Sequence, residues 1–239
     1  MVTLKKNPIS IGIDVGKMVD PTAIAVAELE RRHNGKWREG NMLLTALDQV
    51  ERIGEARPVL VVHYLLRHIE RLPLGTSYPA VAKHIADMLC SSLFYGRQVS
   101  VLIDVTGVGR PVYDDLVEEA ALRAESRAAT IMPITFAPGQ KYNRSTGALG
   151  KAYMVSRLQA LLQNTRIHAP DIPEVEALQE ELKVYEIRID RDGHDTYGAF
   201  KIGKHDDLAT ALGLAVLEED SSEGLDDETM RALLNYRGY

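Results

Sequence analysis

The stretch "ISIGIDVGKMVDPTAIAVAEL", residues 9–29, decides how the chain folds. Ile9, Ile11 and Ile13 alternate with Ser10, Gly12 and Asp14, and a period of two marks a strand with one apolar face, ending here at Asp14. After the turn residues "VGKMVDP", the run "TAIAVAEL" is apolar on both faces and reads as a second, fully buried strand. So short a link makes the two an antiparallel pair.

Working outward, "PVLVVHYLLRHIERL" (58–72) resumes strand character from Val59 to Leu66. Residues 31–57 between them begin with a turn signal at Asn34-Gly35 and are read as a hairpin extension or an insertion. "YPAVAKHIADMLCSSL" (78–93) places Val81, Ile85, Met88 and Leu89 on one side of a helix, and "VSVLID" (99–104) is a strand ending at Asp104. "GRPVYDDLVEEAALRA" (109–124) starts a helix, with Pro111 suited to its first turn. A short strand "TIMPITF" follows, then the helices "GKAYMVSRLQALL", with Met154, Leu158, Leu161 and Leu162 in helical register, and "PEVEALQEEL". "VYEIRIDRDGHDTYGAFKI" (184–202) reads as a hairpin turning near Asp192-Gly193. The last helix follows Asp207, with Leu208, Ala211, Leu212 and Ala215 at 3.6-residue spacing.

Strands first and alternating helices and strands later predict an α/β fold, a mixed central sheet flanked by helices with an added β-hairpin. Residues 1–220 form one compact domain in this reading, and 221–239 an acidic C-terminal tail. If the first and fourth strands are parallel neighbours, Asp14 and Asp104 lie at adjoining C-terminal ends, and the last helix can deliver Asp206 and Asp207 to the same point. Taken singly, each acid has a simpler use: Asp14 and Asp104 as strand-end turn residues, and the Asp206-Asp207 pair as a helix cap. Taken together they repel one another unless a cation neutralises them. Mg²⁺ or Mn²⁺ suits a site built of carboxylate and water oxygens. Asp114 and Asp115 sit inside a helical stretch and read as a solvated face.

Composition narrows the alternatives. With 239 residues and 45% apolar content the chain can bury a large core, and no apolar run reaches the ~20 residues that span a bilayer. The N-terminal segment lacks a secretory apolar core, so an intracellular, soluble protein is expected. Cys90, the single cysteine, has no thiolate partner and is expected in the core. His63, His68 and His84 share no compact ligand spacing. The net charge of −6 is unevenly spread, for "EEDSSEGLDDE" (218–228) alone carries seven acids and no base. Residues 137–170 hold Lys141, Arg144, Lys151, Arg157 and Arg166 without one acid, a local excess that suits either a phosphate backbone or an ordinary solvated face.

Four segments, "IGIDVGKMVDPTAIAV", "VLIDVTGVGRPVYDDL", "GKAYMVSRLQALLQNTRIHAP" and "GKHDDLATALGLAV", together resemble the nuclease domain of the large terminase subunit of tailed bacteriophages, a ribonuclease-H-like fold. The likeness runs in order over residues 8–217; "GIDVG" alone is weak, and the ordered set carries it. It implies metal-dependent cutting of double-stranded DNA during genome packaging, in the host cytoplasm. It further implies metal held by Asp14, Asp104 and one or both of Asp206 and Asp207, and a two-metal mechanism would call for two ions there. In two-metal chemistry Asp14 bridges the ions, Asp104 binds one, and Asp207, assisted by Asp206, binds the other. The family's His-x-Asp pattern matches His205 and Asp207 and favours Asp207. Gly107 and Gly109 leave room beside Asp104 for backbone or substrate. Arg144, Lys151 and Lys204 are candidate phosphate contacts. The implied partners are DNA, a packaging ATPase motor, the small terminase subunit and the portal.

Large terminases carry an ATPase motor before the nuclease, whereas this sequence has no GxxxxGK[ST] loop; "GALGKA" lacks the first glycine and the final Ser or Thr. The expectation is an isolated nuclease domain or a motor on a separate polypeptide. Competing readings are a sugar-kinase or actin-like ATPase, an inactive DNA-binding packaging module, and a resolvase or transposase with the same core. ATP-dependent stabilisation, binding without cleavage, and preference for branched junctions distinguish them in turn.

Overall fold

The computed structural model describes residues 6–16, 20–38, 41–44, 50–53, 57–123, 129–139, 141–184, 186–189, 195–198 and 205–218. In chain order the elements begin with β1 (Ile9–Asp14), β2 (Ala23–Arg38), β3 (Asn41–Leu44), β4 (Val50–Ile53), β5 (Arg57–Arg71) and α1 (Tyr78–Leu89). Next come β6 (Val99–Asp104), α2 (Gly109–Leu122), β7 (Ala129–Phe136), β8 (Ala148–Leu149), α3 (Lys151–Gln163) and β9 (Ile167–His168). The remainder comprises α4 (Pro173–Val184), β10 (Glu186–Ile189), β11 (Asp195–Gly198) and α5 (Asp207–Ala215).

Seven strands form one mixed sheet in the order β8-β7-β6-β1-β2-β5-β9. β1 pairs antiparallel with β2 and parallel with β6, in register Ile9↔Val99 through Ile13↔Ile103. The parallel neighbours expected from the strand order are therefore present. β2 is the strand that runs against its neighbours, so β1, β5, β6 and β7 all end at the same edge of the sheet.

Alternation along β1 and β6 divides the core. Ile9, Ile11, Ile13, Val99, Val101 and Ile103 turn to one face, where they bury Val81, Ile85 and Leu89 of α1 and Val112 and Leu116 of α2. Ala23, Ala25, Ala27, Leu29, Tyr64 and Leu66 turn to the other face and pack against α3, α4 and α5. Every residue of α5 is buried, which explains why "DLATALGLA" is apolar all round rather than on a single stripe. Burying each of its leucines contributes about 1.5–3 kcal/mol.

The segment between β2 and β5 is a hairpin extension, as one of its two sequence readings had it, and β3 pairs with β4 at its end. Its turn is not at Asn34-Gly35. β2 runs through those residues, and the irregularity they cause is a register shift against β5 between His33 and Trp37. β10 and β11 pair as the second expected hairpin, while its turn at Asp192-Gly193 and the 221–239 tail fall outside the described residues. Cys90 corrects another expectation. α1 ends at Leu89, the last residue on its buried face, and Cys90 steps off the helix into solvent. Among the described residues no helix is long and apolar enough to cross a membrane.

Candidate metal centre

The last residue of β1 is Asp14 and the last of β6 is Asp104. Both follow the alternation of their strands onto the face that carries α5, opposite Ile13 and Ile103. Asp104 is fixed by the Thr106 backbone N–H, which donates to Oδ1 at 2.7 Å. Gly109 permits the tight return of the chain, because a Cβ there would lie 1.8 Å from the Asp104 carbonyl oxygen.

Gly12 fixes the third element. It lies against α5 so closely that a Cβ would meet the Ala211 carbonyl oxygen at 2.0 Å and the Ala215 nitrogen at 2.4 Å. With the helix seated on β1, its first turn sits over the end of that strand, and Asp206 and Asp207 face Asp14. Asp206 makes no side-chain capping hydrogen bond. It accepts instead from the Lys151 ammonium, at 3.3 Å, on the first residue of α3. Asp207 is buried, with its side chain only 6% exposed, and Oδ2 accepts from the Arg71 Nε at 2.5 Å. Its other oxygen, Oδ1, is buried with no hydrogen-bond partner among the described residues, and the His205 Nδ1 lies 3.6 Å from it.

The electrostatics follow from this crowding. Burial, then the Asp104 carboxylate, then Asp206 and Asp207, push the Asp14 carboxyl well above the usual carboxylate range, against the opposing pull of Lys151. Asp104 is also pushed up by burial, offset in part by its hydrogen bonds from Thr106. Among the described residues no three His, Cys, Asp or Glu side chains are drawn tightly enough to hold a metal ion as they stand. Arg71 and Lys151 hold Asp207 and Asp206 by one oxygen each, and the anions repel. The donor chemistry fits a hard divalent cation: carboxylate oxygens alone, one of them buried and unpartnered, around an acid whose charge the site disfavours.

The structure thus brings Asp14, Asp104, Asp206, Asp207 and Lys151 together. Arg144 is engaged elsewhere, pairing with the buried Glu218 at 2.7 Å, and Lys204 lies outside the described residues. Asp114 is exposed and pairs with Arg110 along α2. Sequence reading missed Arg71 and Glu181. Arg71 ends β5 and bridges Asp207 to Glu181 of α4, and no local motif announces a contact across 136 and 110 positions of chain. A cavity of about 430 Å³ opens beside the turn after Asp14, lined by Gly16, Asp20, Thr22, Thr76 and Tyr78 among others.

No protein-family model matches the chain, and no curated protein matches it in sequence. Solved structures match it over most of its length. The large terminase nuclease from thermophilic phage G20c is 17% identical, with 90% of this chain and 83% of that one covered and a TM-score of 0.56. The same nuclease with bound magnesium is 19% identical over 87% and 80%, at a TM-score of 0.50. The large terminase nuclease domain of Thermus phage P74-26 is 16% identical over 92% and 84%, at 0.51. With its mixed seven-stranded sheet and helices on both faces, the chain has the ribonuclease-H-like fold of terminase large-subunit nuclease domains.

Proposed function

We propose that the chain is a metal-dependent endonuclease that cleaves double-stranded DNA during phage genome packaging. The observation that carries this reading is the crowding of Asp104, Asp206 and Asp207, from the end of β6 and the start of α5, on the buried Asp14 carboxyl at the end of β1. The fold shared with terminase nucleases, one of them with bound magnesium, supports the same reading.

Asp14, Asp104 and Asp207, with Asp206 beside them, would hold two Mg²⁺ or Mn²⁺ ions. Bound there, the ions would activate a water and stabilise the departing 3′ oxygen of the scissile phosphodiester. The chain's own residues set the stage for that chemistry. Asp14 and Asp104 are held by rigid strand ends, so their positions are fixed before substrate arrives. Asp207 Oδ1 offers a lone pair that no group of the described residues satisfies. Lys151 places a positive charge at the N-terminus of α3, where the helix dipole also favours an anion, and it is the described cation best placed to orient a DNA phosphate. Arg144, whose side chain stays half exposed while it pairs with Glu218, and Lys204 are further candidates for contacts along the backbone. The packaging motor, small terminase subunit and portal are its expected partners.

The test is nicking and linearisation of supercoiled plasmid in Mg²⁺ or Mn²⁺, comparing the parent with Asp14→Asn and Asp207→Asn. The reading expects cutting by the parent and its loss in both variants and in chelator. A folded parent that leaves DNA intact in every metal contradicts independent nuclease activity. Cutting confined to branched junctions reassigns the chain to a resolvase-type reaction.

A further inference from the structure

Asp14, Ala23 and Arg71 lie in one row across the sheet, since Ala23 of β2 pairs with Asp14 of β1 on one side and with Arg71 of β5 on the other. Residues directly opposite one another share a face, so all three side chains rise toward α5. Two strand spacings separate Asp14 from Arg71, about 10 Å. The residue between them carries only a methyl group, which leaves space above the row. The Asp207 carboxylate occupies that side of α5, with Oδ2 on the Arg71 guanidinium at 2.5 Å.

Arg71 is itself held. Its Nη2 donates to Glu181 Oε1, and Glu181 is buried on α4 with its side chain 6% exposed. The other Glu181 oxygen, Oε2, accepts from the Ala209 backbone N–H at 2.9 Å, in the first turn of α5. One carboxylate therefore ties the guanidinium and the helix N-terminus that bears Asp207. The loop of contacts runs from Asp207 to Arg71 to Glu181 and back to α5, joining three elements. A planar guanidinium with two fixed acceptors holds orientation as well as charge.

We infer that Arg71 and Glu181 are positioning residues that present Asp207 to the metal centre through Oδ1 alone. The inference rests on the proposed metal-centre reading and deepens it. Oδ2 is committed to Arg71, so Asp207 is a one-oxygen ligand whose rotation is locked before any ion arrives. Lysine at position 71 keeps the positive charge without the fork, and glutamine at 181 keeps the shape while weakening the anchor.

The test is Mn²⁺ binding by the DNA-free full chain, read from the electron paramagnetic resonance signal of free Mn²⁺. Parent, Asp14→Asn, Arg71→Lys, Arg71→Gln and Glu181→Gln are compared, with circular dichroism to establish the folded fraction. Loss of partners behind a metal ligand typically weakens metal binding about 10- to 100-fold. Both Arg71 variants are expected in that range and Glu181→Gln to shift the same way by less. In plasmid cleavage, Arg71→Lys raises the Mn²⁺ concentration for half-maximal rate, while the rate at saturating Mn²⁺ recovers toward the parent. Folded Arg71 variants with unchanged Mn²⁺ affinity overturn the inference, as does a loss of rate that saturating Mn²⁺ leaves untouched. Parent binding that disappears in Asp14→Asn keeps the metal-centre reading standing in either case. A parent that binds no Mn²⁺ overturns that reading and the inference with it.

Discussion

Gly12 on β1 and Ala211 on α5 are in backbone contact, with 2.0 Å between the Ala211 carbonyl oxygen and the place a Cβ on Gly12 would take. That contact seats the helix whose first turn carries Asp206 and Asp207 over the strand that ends in Asp14. A methyl group at position 12 has backbone, not a flexible side chain, to displace. Gly12→Ala is expected to destabilise the fold by about 1–3 kcal/mol or more, as overpacking a close-packed core does. Urea denaturation measures it, and an unchanged midpoint would refute the contact.

Asp14→Asn separates stability from function. In chelator the parent holds a buried acid among three others, and removing one charge relieves repulsion. The variant should melt at or above the parent's temperature in chelator. Millimolar Mn²⁺ should raise the melting temperature of the parent and leave the variant where it was, since a ligand stabilises only the protein that binds it. Equal Mn²⁺ stabilisation of both proteins would place the ion elsewhere.

Arg157 belongs to the acid-free cationic segment, yet its place is structural. Its Nε donates to the Val216 carbonyl at 2.8 Å and its Nη2 to the Tyr64 hydroxyl at 2.8 Å, which in turn donates to the Glu218 carbonyl. Arg157→Met leaves these buried acceptors short of a donor and should cost about 1–3 kcal/mol in urea denaturation. Loss of DNA binding without loss of stability would contradict this assignment.

A pH dependence follows from Glu70, which accepts from His68 and His84. The His68 hydrogen bond, then that of His84, lower the Glu70 carboxyl to about 2, and the Glu70 hydrogen bond raises His68 above its ordinary value. Glu70 contributes stability above its unfolded pKa of about 4.3, and that contribution is lost as pH falls toward 2. His68 contributes below its unfolded pKa of about 6.5 and loses the contribution as pH rises through its higher folded value. The cluster therefore stabilises most between about pH 4.5 and 6.5. Its histidines are largely solvated, so the gain is within about 1 kcal/mol. Glu70→Gln should lower the melting temperature most in that window and least above pH 8; a difference independent of pH would contradict the pairing.

The elements that place the centre were legible because each is local. Alternation in "ISIGID" and "VSVLID" sets Asp14 and Asp104 on one face, and the parallel register then makes them neighbours. What surrounds the acids was not legible. Arg71 sits in a strand whose pattern says nothing of its partner, and Glu181 looks like any acid of a charged helix, because their meeting depends on β5, α4 and α5 converging. The segment 137–170 was legible only in part for a related reason. Its lack of acids suits either a phosphate backbone or a solvated face, and says nothing of the reach of Arg144, Arg157 and Arg166 to partners on distant elements. Cys90 shows the limit of periodicity at helix ends, where one residue's shift moves a side chain from core to solvent.

In the proposed nuclease, one centre formed by the ends of β1 and β6 and the start of α5 holds the ions. Crystals soaked in Mn²⁺ and recorded at the manganese absorption edge would locate them. An anomalous peak in contact with Asp14, Asp104 and Asp207 Oδ1 is the predicted result. Manganese bound only at other residues, in a protein that cuts DNA with Mn²⁺, would contradict it.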